Sequence, residues 1–291
     1  MRNVKLQPGN CVITPLERDI FEEKTGFKPP YYTEENIKYP FAVCPQCDNP
    51  VKIIGFYNDI KPKPYAEHYD NDVEELVDFI AENKEYCPYY DKRRTISKTA
   101  RRTVGISFVN EIKSLLKEQY DRIIYILEDE LKIYISSKLA EEMMSSFIAS
   151  KAWEYSWTTA NNLPWVFGYM QTGKTLIGRL ISEKSPLYDA VSKKCKDVQF
   201  VPSRKNGYAK LVSKSKFINL HFCIMHHKRE IIHDLLNETM EFVITLNDRV
   251  IYKDPIKIDE SYFLNLINKK ENEDKRFRKT ELLAIADKYV S

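Results

Sequence analysis

Proline is distributed very unevenly along this chain of 291 residues. Ten of the fourteen prolines lie between Pro8 and Pro88, none lies between residues 89 and 163, and four follow. Because proline cannot donate to a β-ladder or sit inside a helix, the first segment should consist of short elements joined by turns. The distribution therefore predicts two domains, residues 1–95 and residues 96–291, and the length agrees with this division.

The segment after the boundary has the spacing of amphipathic helices from Gly105 to about Ser156. One apolar stripe is formed by Val109, Ile112, Leu116, Ile123, Leu127 and Leu131, and a second by Leu139, Met143, Phe147 and Trp153. We predict a central pair of helices whose stripes belong to the core. The alternative is that the stripes form the seam of a homodimer.

Beyond residue 195 the spacing becomes that of β-strands, with turns at Asn206-Gly207 and Asn247-Asp248. The predicted strands are Val198–Val201, Tyr208–Val212, Phe217–Met225, Glu241–Leu246 and Val250–Tyr252. A last helix is predicted at about 279–289, and a helix in the first domain at about 72–84. The fold class is therefore α+β, with a C-terminal antiparallel sheet and a closing helix.

The composition excludes several classes of protein. The chain is 43% apolar and 30% charged, which is typical of a soluble globular protein and not of a disordered or fibrous one. Its longest apolar runs fall well short of the ~18 residues that a membrane helix needs, and no apolar signal-peptide core follows Met1. We therefore expect a cytoplasmic protein without membrane contact. The net charge of +3 is too small to identify a nucleic-acid binder by itself.

The proline-rich segment contains a candidate metal site. Cys44-Pro45-Gln46-Cys47 places two thiolates at the spacing of a zinc knuckle, and an apolar strand is predicted directly after it. His68 and Cys87 could complete a tetrahedral site in the same segment, and Cys11 is the rival for the fourth position. Because thiols stay reduced in the cytoplasm, metal binding is favoured over disulfides.

The predicted zinc ion has a structural role. Four protein ligands leave no open position for a reactive water, so the site should stabilise the fold of a segment that has little continuous core. The alternative is that Cys44 and Cys47 are surface thiols, His68 is a loop histidine and Cys87 is a small buried residue.

These residues also resemble a known family. The arrangement of Phe41–Cys47, Tyr65–His68 and Cys87 is similar to the zinc-binding segment of CoiA-like competence proteins and to segments of uncharacterised bacterial and mobile-element proteins. The resemblance covers less than one third of the chain and implies ligand roles for the three cysteines and His68. It departs in the long gap between His68 and Cys87, and no nuclease signature accompanies it.

A second motif, Gly168–Thr175, satisfies the phosphate-loop pattern GxxxxGK[ST]. In such a loop, backbone amides around Gly173 would hold phosphates, Lys174 would reach the terminal phosphates and Thr175 would bind magnesium. The context is poor, because Asn162–Phe167 is a short, proline-interrupted candidate for the preceding strand and hairpins are predicted afterwards. The alternative is a helix start that fits the pattern by chance.

Four of the five histidines, His221, His226, His227 and His233, lie within thirteen residues. They could form a catalytic metal or general-base site. Strand alternation separates His221 from His226, however, so packed or solvated histidines are the favoured interpretation.

Basic residues cluster in two stretches that could bind nucleic-acid phosphates. The arginines and lysine chosen as candidate contacts are Arg93, Arg94, Arg101, Arg102, Arg204 and Lys205. The second stretch has eight positive residues against Asp197 alone across residues 193–216. Tyr208 and Tyr89-Tyr90 could stack on unpaired bases, and a solvated face is the alternative.

Three functional hypotheses follow. The first is a zinc-stabilised protein that binds DNA or RNA, and its setting in a mobile-element or phage-defence system rests on the resemblance alone. The second is a nucleotide-dependent enzyme that uses Gly173, Lys174 and Thr175. The third is an adaptor that dimerises through the helical pair.

Overall fold

The computed structural model describes residues 1–9, 12–34, 37–57, 63–103, 105–214, 218–268 and 278–290. Its helices and antiparallel sheets confirm the predicted α+β class. The chain divides into a first unit of residues 1–94, 101–105 and 229–237 and a second unit of residues 95–100, 106–228 and 238–291. The first break between the units, after residue 94, lies next to the predicted boundary at residue 95. No sequence signal assigns residues 101–105 and 229–237 to the first unit. Within the described ranges, no helix is long and apolar enough to cross a bilayer.

The first unit consists of short elements, as the prolines predict. They are β1 (Asn3–Val4), β2 (Thr14–Pro15), α1 (Arg18–Thr25), β3 (Phe41–Val43), β4 (Pro50–Ile54), β5 (Tyr65–His68) and α2 (Ala81–Glu85). Strands β3, β4 and β5 form an antiparallel sheet in that order, and β1 pairs with β2. This unit has its own hydrophobic cluster around Phe21, Val51 and Ile53, so the expectation of little continuous core is wrong.

The predicted helix at 72–84 is also wrong, because only α2 is helical. Residues 73–77 form a turn instead, in which the backbone N–H groups of Leu76 and Val77 both donate to Val73 O at 3.0 Å and Glu75 has a φ of 60°. The supposed apolar stripe is not buried as a whole, since Ile80 is 44% exposed. Side chains outside the turn accept hydrogen bonds from backbone N–H groups that a helix would have paired internally. One of these N–H groups belongs to Ile80.

The second unit contains the long elements. They are α3 (Ile106–Leu131), β6 (Ile133–Tyr134), α4 (Ser137–Ala149), a 3₁₀ turn (Ala152–Glu154), α5 (Leu163–Tyr169), β7 (Lys174–Thr175), β8 (Leu180–Ser182), α6 (Pro186–Lys194), β9 (Val198–Pro202), β10 (Tyr208–Ser213), β11 (Leu220–Ile232), β12 (Leu235–Leu246), β13 (Arg249–Lys257), α7 (Glu260–Asn268) and α8 (Thr280–Tyr289). The helical pair and the closing helix are confirmed. The tip of the β11–β12 hairpin belongs to the first unit.

The helical stripes form the core of the second unit. Ile112, Leu116, Ile123 and Leu127 are all fully buried, and α3 packs against α5, α7 and α8 of the same chain. The stripe is therefore occupied within one chain and does not offer a dimer seam. A homodimer, as such, remains a prediction.

The predicted strands are present, but they form two sheets where one was predicted. One sheet has the order β6-β8-β10-β9, and the other has the order β13-β12-β11-β7. The described part of the strand predicted at Phe217–Met225 begins at Leu220, while Phe217 itself lies outside the described residues. His226 has a φ of 55°, and the buried positions change from Phe222 and Ile224 to His227 and Arg229 across it. This break in alternation determines which histidine enters the core.

Candidate metal centre and other predicted sites

Three elements of the first unit position the metal-ligand residues that the sequence predicts. Cys44 follows β3, and Cys47 lies in the turn before β4. The turn is closed by hydrogen bonds from Cys44 N to Asn49 O at 2.8 Å and from Asp48 N to Cys44 O at 3.2 Å. His68 ends β5, where it pairs with Val51 of β4. The antiparallel sheet thereby brings the histidine beside the knuckle.

Cys87 reaches the cluster from the end of α2. Its N–H donates to Lys84 O at 3.0 Å, and its carbonyl oxygen accepts from Asp91 N at 2.7 Å. Asn49, which is 1% exposed, ties this segment to the knuckle by two hydrogen bonds with the backbone of Ile80. Sequence inspection missed Asn49, because a single asparagine beside a knuckle carries no distinctive signal.

The four ligand atoms lie within 4.8 Å of one another. The Sγ atoms of Cys44 and Cys87 are 3.6 Å apart, and Cys47 Sγ is 3.3 Å from His68 Nε2. A tetrahedral ion with Zn–S bonds of about 2.3 Å requires sulfurs roughly 3.8 Å apart, so these distances fit one zinc ion. Cys44 and Cys87 are buried, and Cys47 and His68 are half-buried. Cys11 lies outside the described residues.

The electrostatics of the cluster also fit a cation. Burial raises the pKa of Cys87 well above that of a free thiol, and hydrogen bonds with Cys44 and Cys47 act in the same direction. Burial, followed by the bond to Cys44, raises the pKa of Cys47 as well. For Cys44, burial is outweighed by its hydrogen bonds with Cys47, Cys87 and His68, which lower its pKa. Without a cation the cluster thus favours one thiolate, whereas Zn²⁺ would supply the charge that lets all three sulfurs ionise.

The phosphate-loop motif does not have the structure that the pattern predicts. Gly168 lies inside α5, while Lys174 and Thr175 form β7, which pairs antiparallel with β11. A phosphate loop needs a parallel strand before it and a helix after it, and this order is reversed here. The alternative of a helix start is also wrong, because the helix ends at Tyr169.

The histidines do not form one site. His227 is buried, and its Nε2 is 2.5 Å from Glu238 Oε1 while its Nδ1 is 3.0 Å from the Tyr155 hydroxyl. His226 is exposed and lies 2.8 Å from Glu241, whereas His233 lies at the hairpin tip. In the described part of the chain, Cys44, Cys47, His68 and Cys87 are the one group that satisfies the criteria for holding a metal ion.

The arginines of the basic linker are engaged within the first unit. Arg93 makes two hydrogen bonds of 2.8 Å with Asp91, and Arg94 lies 3.2 Å from Glu230. Arg102 is 8% exposed, and its guanidinium lies 4.6 Å from the ring centroid of Tyr86. Arg101 is exposed. Arg93 and Arg94 are exposed as well, so these ion pairs partly neutralise the basic linker without burying it, and its contact with nucleic acid stays a prediction.

Part of the second basic stretch, Lys205 and Lys210, lies at an open sheet face in the second unit. Ile133, Ile181, Ala209 and Leu211 are buried on one face of the β6-β8-β10-β9 sheet. The alternate positions, Tyr134, Leu180, Tyr208 and Lys210, are half-buried or exposed, so they belong to the opposite face. The ammonium of Lys205 lies 4.0 Å from the ring centroid of Tyr134 and 5.5 Å from that of Tyr208. Tyr134 is a member of this group that the sequence did not indicate.

A scan of the chain against protein-family models, a search of curated proteins and a search of solved structures found no match. The geometry of the sites therefore carries the functional argument alone.

Proposed function

We propose that this is a zinc-stabilised protein in which Cys44, Cys47, His68 and Cys87 hold one structural zinc ion. The observation that carries the proposal is the convergence of three sulfurs and one imidazole nitrogen within 4.8 Å. Sulfur and imidazole donors in a tetrahedral arrangement favour zinc over the hard cations magnesium and calcium. Two of the ligands, Cys44 and Cys87, belong to the hydrophobic cluster of the first unit. Zinc would therefore cross-link that core.

Elemental analysis of the purified chain tests this proposal. We expect one zinc per chain in the native protein and in Cys195→Ser, a buried cysteine of the second unit. Cys44→Ser and Cys87→Ser should lose the metal. Absence of stoichiometric zinc from the native protein, or retention of zinc in both ligand variants, would contradict the assignment.

Hydrogen exchange after zinc removal tests the structural role separately. All three tryptophans, Trp153, Trp157 and Trp165, lie in the second unit. A strong chelator should therefore increase exchange in β3, β4 and β5 while tryptophan fluorescence stays nearly constant. If exchange in these strands does not change, the metal is dispensable for the fold.

We propose as a second function that the open face of the β6-β8-β10-β9 sheet binds single-stranded nucleic acid. The observation that favours this partner is the grouping of Tyr134 and Tyr208, whose ring centroids are 6.3 Å apart, with Lys205. Aromatic rings stack on unpaired bases, and lysines contact phosphates. Arg204 and Lys210 are exposed beside this group, which extends its positive charge. The bases of a duplex are already stacked, so a single strand fits this surface better.

Fluorescence anisotropy with labelled poly-dT and poly-U oligonucleotides tests the nucleic-acid proposal. Tyr208→Ala should cost ~1–3 kcal/mol of binding free energy. Lys205→Gln should reduce the slope of log K against log salt by about 0.7. The matched controls are Tyr262→Ala and Lys138→Gln, which change exposed residues on α7 and α4. Absence of binding at ~50 mM salt, or equal binding by all four variants, would exclude this surface.

The resemblance to CoiA-like proteins is compatible with both proposals and independent of them. Its ligand roles coincide with the candidate zinc site. A mobile-element or phage-defence setting remains a prediction that rests on this resemblance.

A further inference from the structure

The second unit contains a cavity of about 450 Å³ that neither proposed function uses. Three segments surround it: residues 95–98, the turn at residues 171–173 after α5, and residues 223–228 of β11. Its volume lies within the range of roughly 300–1,000 Å³ that is usual for sites of small organic molecules. The cavity is thus large enough for a compact ligand.

Lys98 places a cation at the wall of this cavity. Its ammonium donates a hydrogen bond of 2.8 Å to the carbonyl oxygen of Gln171 and lies 5.0 Å from the ring centroid of Tyr169. Burial lowers the pKa of Lys98, which means that the charged form pays for desolvation. An anion in the cavity would offset this cost and favour the ammonium.

The other lining residues make the cavity basic and partly apolar. None of the described residues that line it is acidic, and Lys228 adds a second cation. His227 also lines the cavity, and its Nε2 is hydrogen-bonded to the carboxylate of Glu238, which does not line the cavity. Ile96 and Ile224 also line the cavity and provide apolar surface. A ligand that matches this lining has a negative group and an apolar body.

We propose that this cavity binds a small organic anion, with one carboxylate or phosphate on a compact apolar body, and that Lys98 pairs with the anionic group. Thr172 and Gly173 also line the cavity, and they carry a hydroxyl and backbone groups that can bind an anion. Both residues belong to the GxxxxGKT motif, whereas Lys174 does not line the cavity. The proposal therefore assigns anion binding to a different lysine from the one that the motif predicts.

Cys223 provides a built-in reporter, because it lines the cavity. Alkylation of its thiol by iodoacetate, which is anionic, is compared with alkylation by iodoacetamide, which is neutral, and the Cys223 peptide is quantified by mass spectrometry. The ratio of the two rates cancels the thiolate fraction, so it reports only how well the cavity accepts an anion. We expect a ratio roughly 5-fold higher for Cys223 than for free cysteine, since a nearby cation attracts the anionic reagent.

Variants of two lysines test the source of this preference. Lys98→Met, which keeps an apolar stem, should lower the ratio most of the way to that of free cysteine, with the remainder due to Lys228, and Lys98→Arg should retain it. Lys174→Met is the matched control and should leave the ratio unchanged. A ratio in the native protein equal to that of free cysteine, or a ratio that depends on Lys174 and not on Lys98, would overturn the proposal. If Lys98→Met does not fold, the ratios of the native protein and Lys98→Arg, compared with that of free cysteine, still test the proposal.

Protection of Cys223 from iodoacetamide identifies the class of anion. The probes are AMP, benzoate and inorganic phosphate, each added to the native chain and to Lys98→Met. Protection by AMP alone assigns an organic phosphate, and protection by benzoate alone assigns an apolar carboxylate. Protection by both assigns a site that accepts either group. Protection by none of the three, or equal protection in Lys98→Met, would overturn the proposal.

Discussion

Asn49 and Ile80 exchange two hydrogen bonds between the knuckle of the candidate zinc site and the start of α2. Asn49 Nδ2 donates to Ile80 O at 2.9 Å, and Ile80 N donates to Asn49 Oδ1 at 2.7 Å. Asn49 lies two residues after Cys47, and α2 leads to Cys87. One buried side chain thus holds together the two segments that carry all three cysteine ligands.

We predict that Asn49→Ala weakens zinc binding by about 10- to 100-fold, which is the usual effect of losing an outer-shell contact. The substitution removes both bonds that position the Cys87 segment and leaves the backbone N–H of Ile80 without the Asn49 acceptor. Competition with a chromogenic chelator would measure the zinc affinity.

Asn83→Ala provides a graded control, because its Nδ2 makes a longer bond of 3.4 Å to Cys47 O. Its effect on zinc affinity should be smaller than that of Asn49→Ala. Equal affinities for Asn49→Ala and the native protein would show that the metal site does not depend on this tie.

The residues of the candidate metal site were predictable because knuckle spacing is a local signal, whereas their supporting contacts were not. Cys44 and Cys47 are separated by two residues, and a β-hairpin is enough to present them. The Asn49–Ile80 contact joins residues 31 positions apart, and no pattern in the sequence encodes it. The same contact accounts for one end of the failed helix at 72–84, because the backbone N–H of Ile80 donates to Asn49. Local bonds between Val73 and Val77 form a turn in the middle of that segment.

The helices of the second unit were predictable because their periodicity extends over many turns, and α3 alone has 26 residues. The division of the strands between two sheets was not predictable. Short runs such as β7 and β8 have too few residues to show alternation. Tyr134 belongs to β6, which has only two residues. A strand this short shows no alternation, so the sequence did not indicate that Tyr134 lies beside Lys205.

Two neighbouring histidine–glutamate pairs should differ greatly in their contribution to stability. The side chains of His227 and Glu238 are 0% and 1% exposed, whereas those of His226 and Glu241 are 48% and 32% exposed. Glu238→Ala leaves a buried histidine without its carboxylate and should cost ~3–5 kcal/mol of unfolding free energy. Glu241→Ala breaks a solvated pair and should cost ~0–1 kcal/mol.

Urea unfolding followed by tryptophan fluorescence measures both variants, because all three tryptophans lie in the same unit as these pairs. Similar midpoints for Glu238→Ala and Glu241→Ala would mean that the buried pair does not stabilise the second unit.

The two glycines of the GxxxxGKT segment should respond differently to alanine. A Cβ at Gly168 would lie 2.7 Å from Leu127 Cδ2 and 2.8 Å from Ile224 Cδ1, whereas one at Gly173 would lie 4.0 Å from Phe222 O. Gly168→Ala should therefore strain the core, although alanine also favours the helix more than glycine does. We expect the free energy of unfolding to fall by about 1 kcal/mol in total. Gly173→Ala should stay within ~0.5 kcal/mol of the native protein.

The same urea unfolding assay separates these outcomes. A severe loss for Gly173→Ala with a neutral Gly168→Ala would indicate that Gly173 has the special backbone role expected in a phosphate loop. It would contradict the packing role assigned to Gly168.

Glu130 should make the second unit less stable as pH rises. Burial is the main cause that raises its pKa, and the hydrogen bond of 2.9 Å from Trp165 Nε1 only partly opposes it. A carboxyl group whose pKa is higher in the folded state than in the unfolded state favours folding when it is neutral. The loss of stability caused by ionised Glu130 is therefore absent below the unfolded pKa of about 4.3. It is complete above the folded pKa.

Glu130→Gln removes this penalty, because the neutral amide oxygen still accepts the hydrogen bond from Trp165. At pH 7 the variant should be more stable than the native protein by up to ~1 kcal/mol, and the difference should disappear below about pH 4. Glu142→Gln, at an exposed position on α4, should change stability by less than ~0.5 kcal/mol. Thermal unfolding between pH 3.5 and pH 8 would measure these differences, with the pH range set roughly by the glutamate pKa. A gain for Glu130→Gln that persists at the acidic end would show that packing, and not ionisation, is responsible.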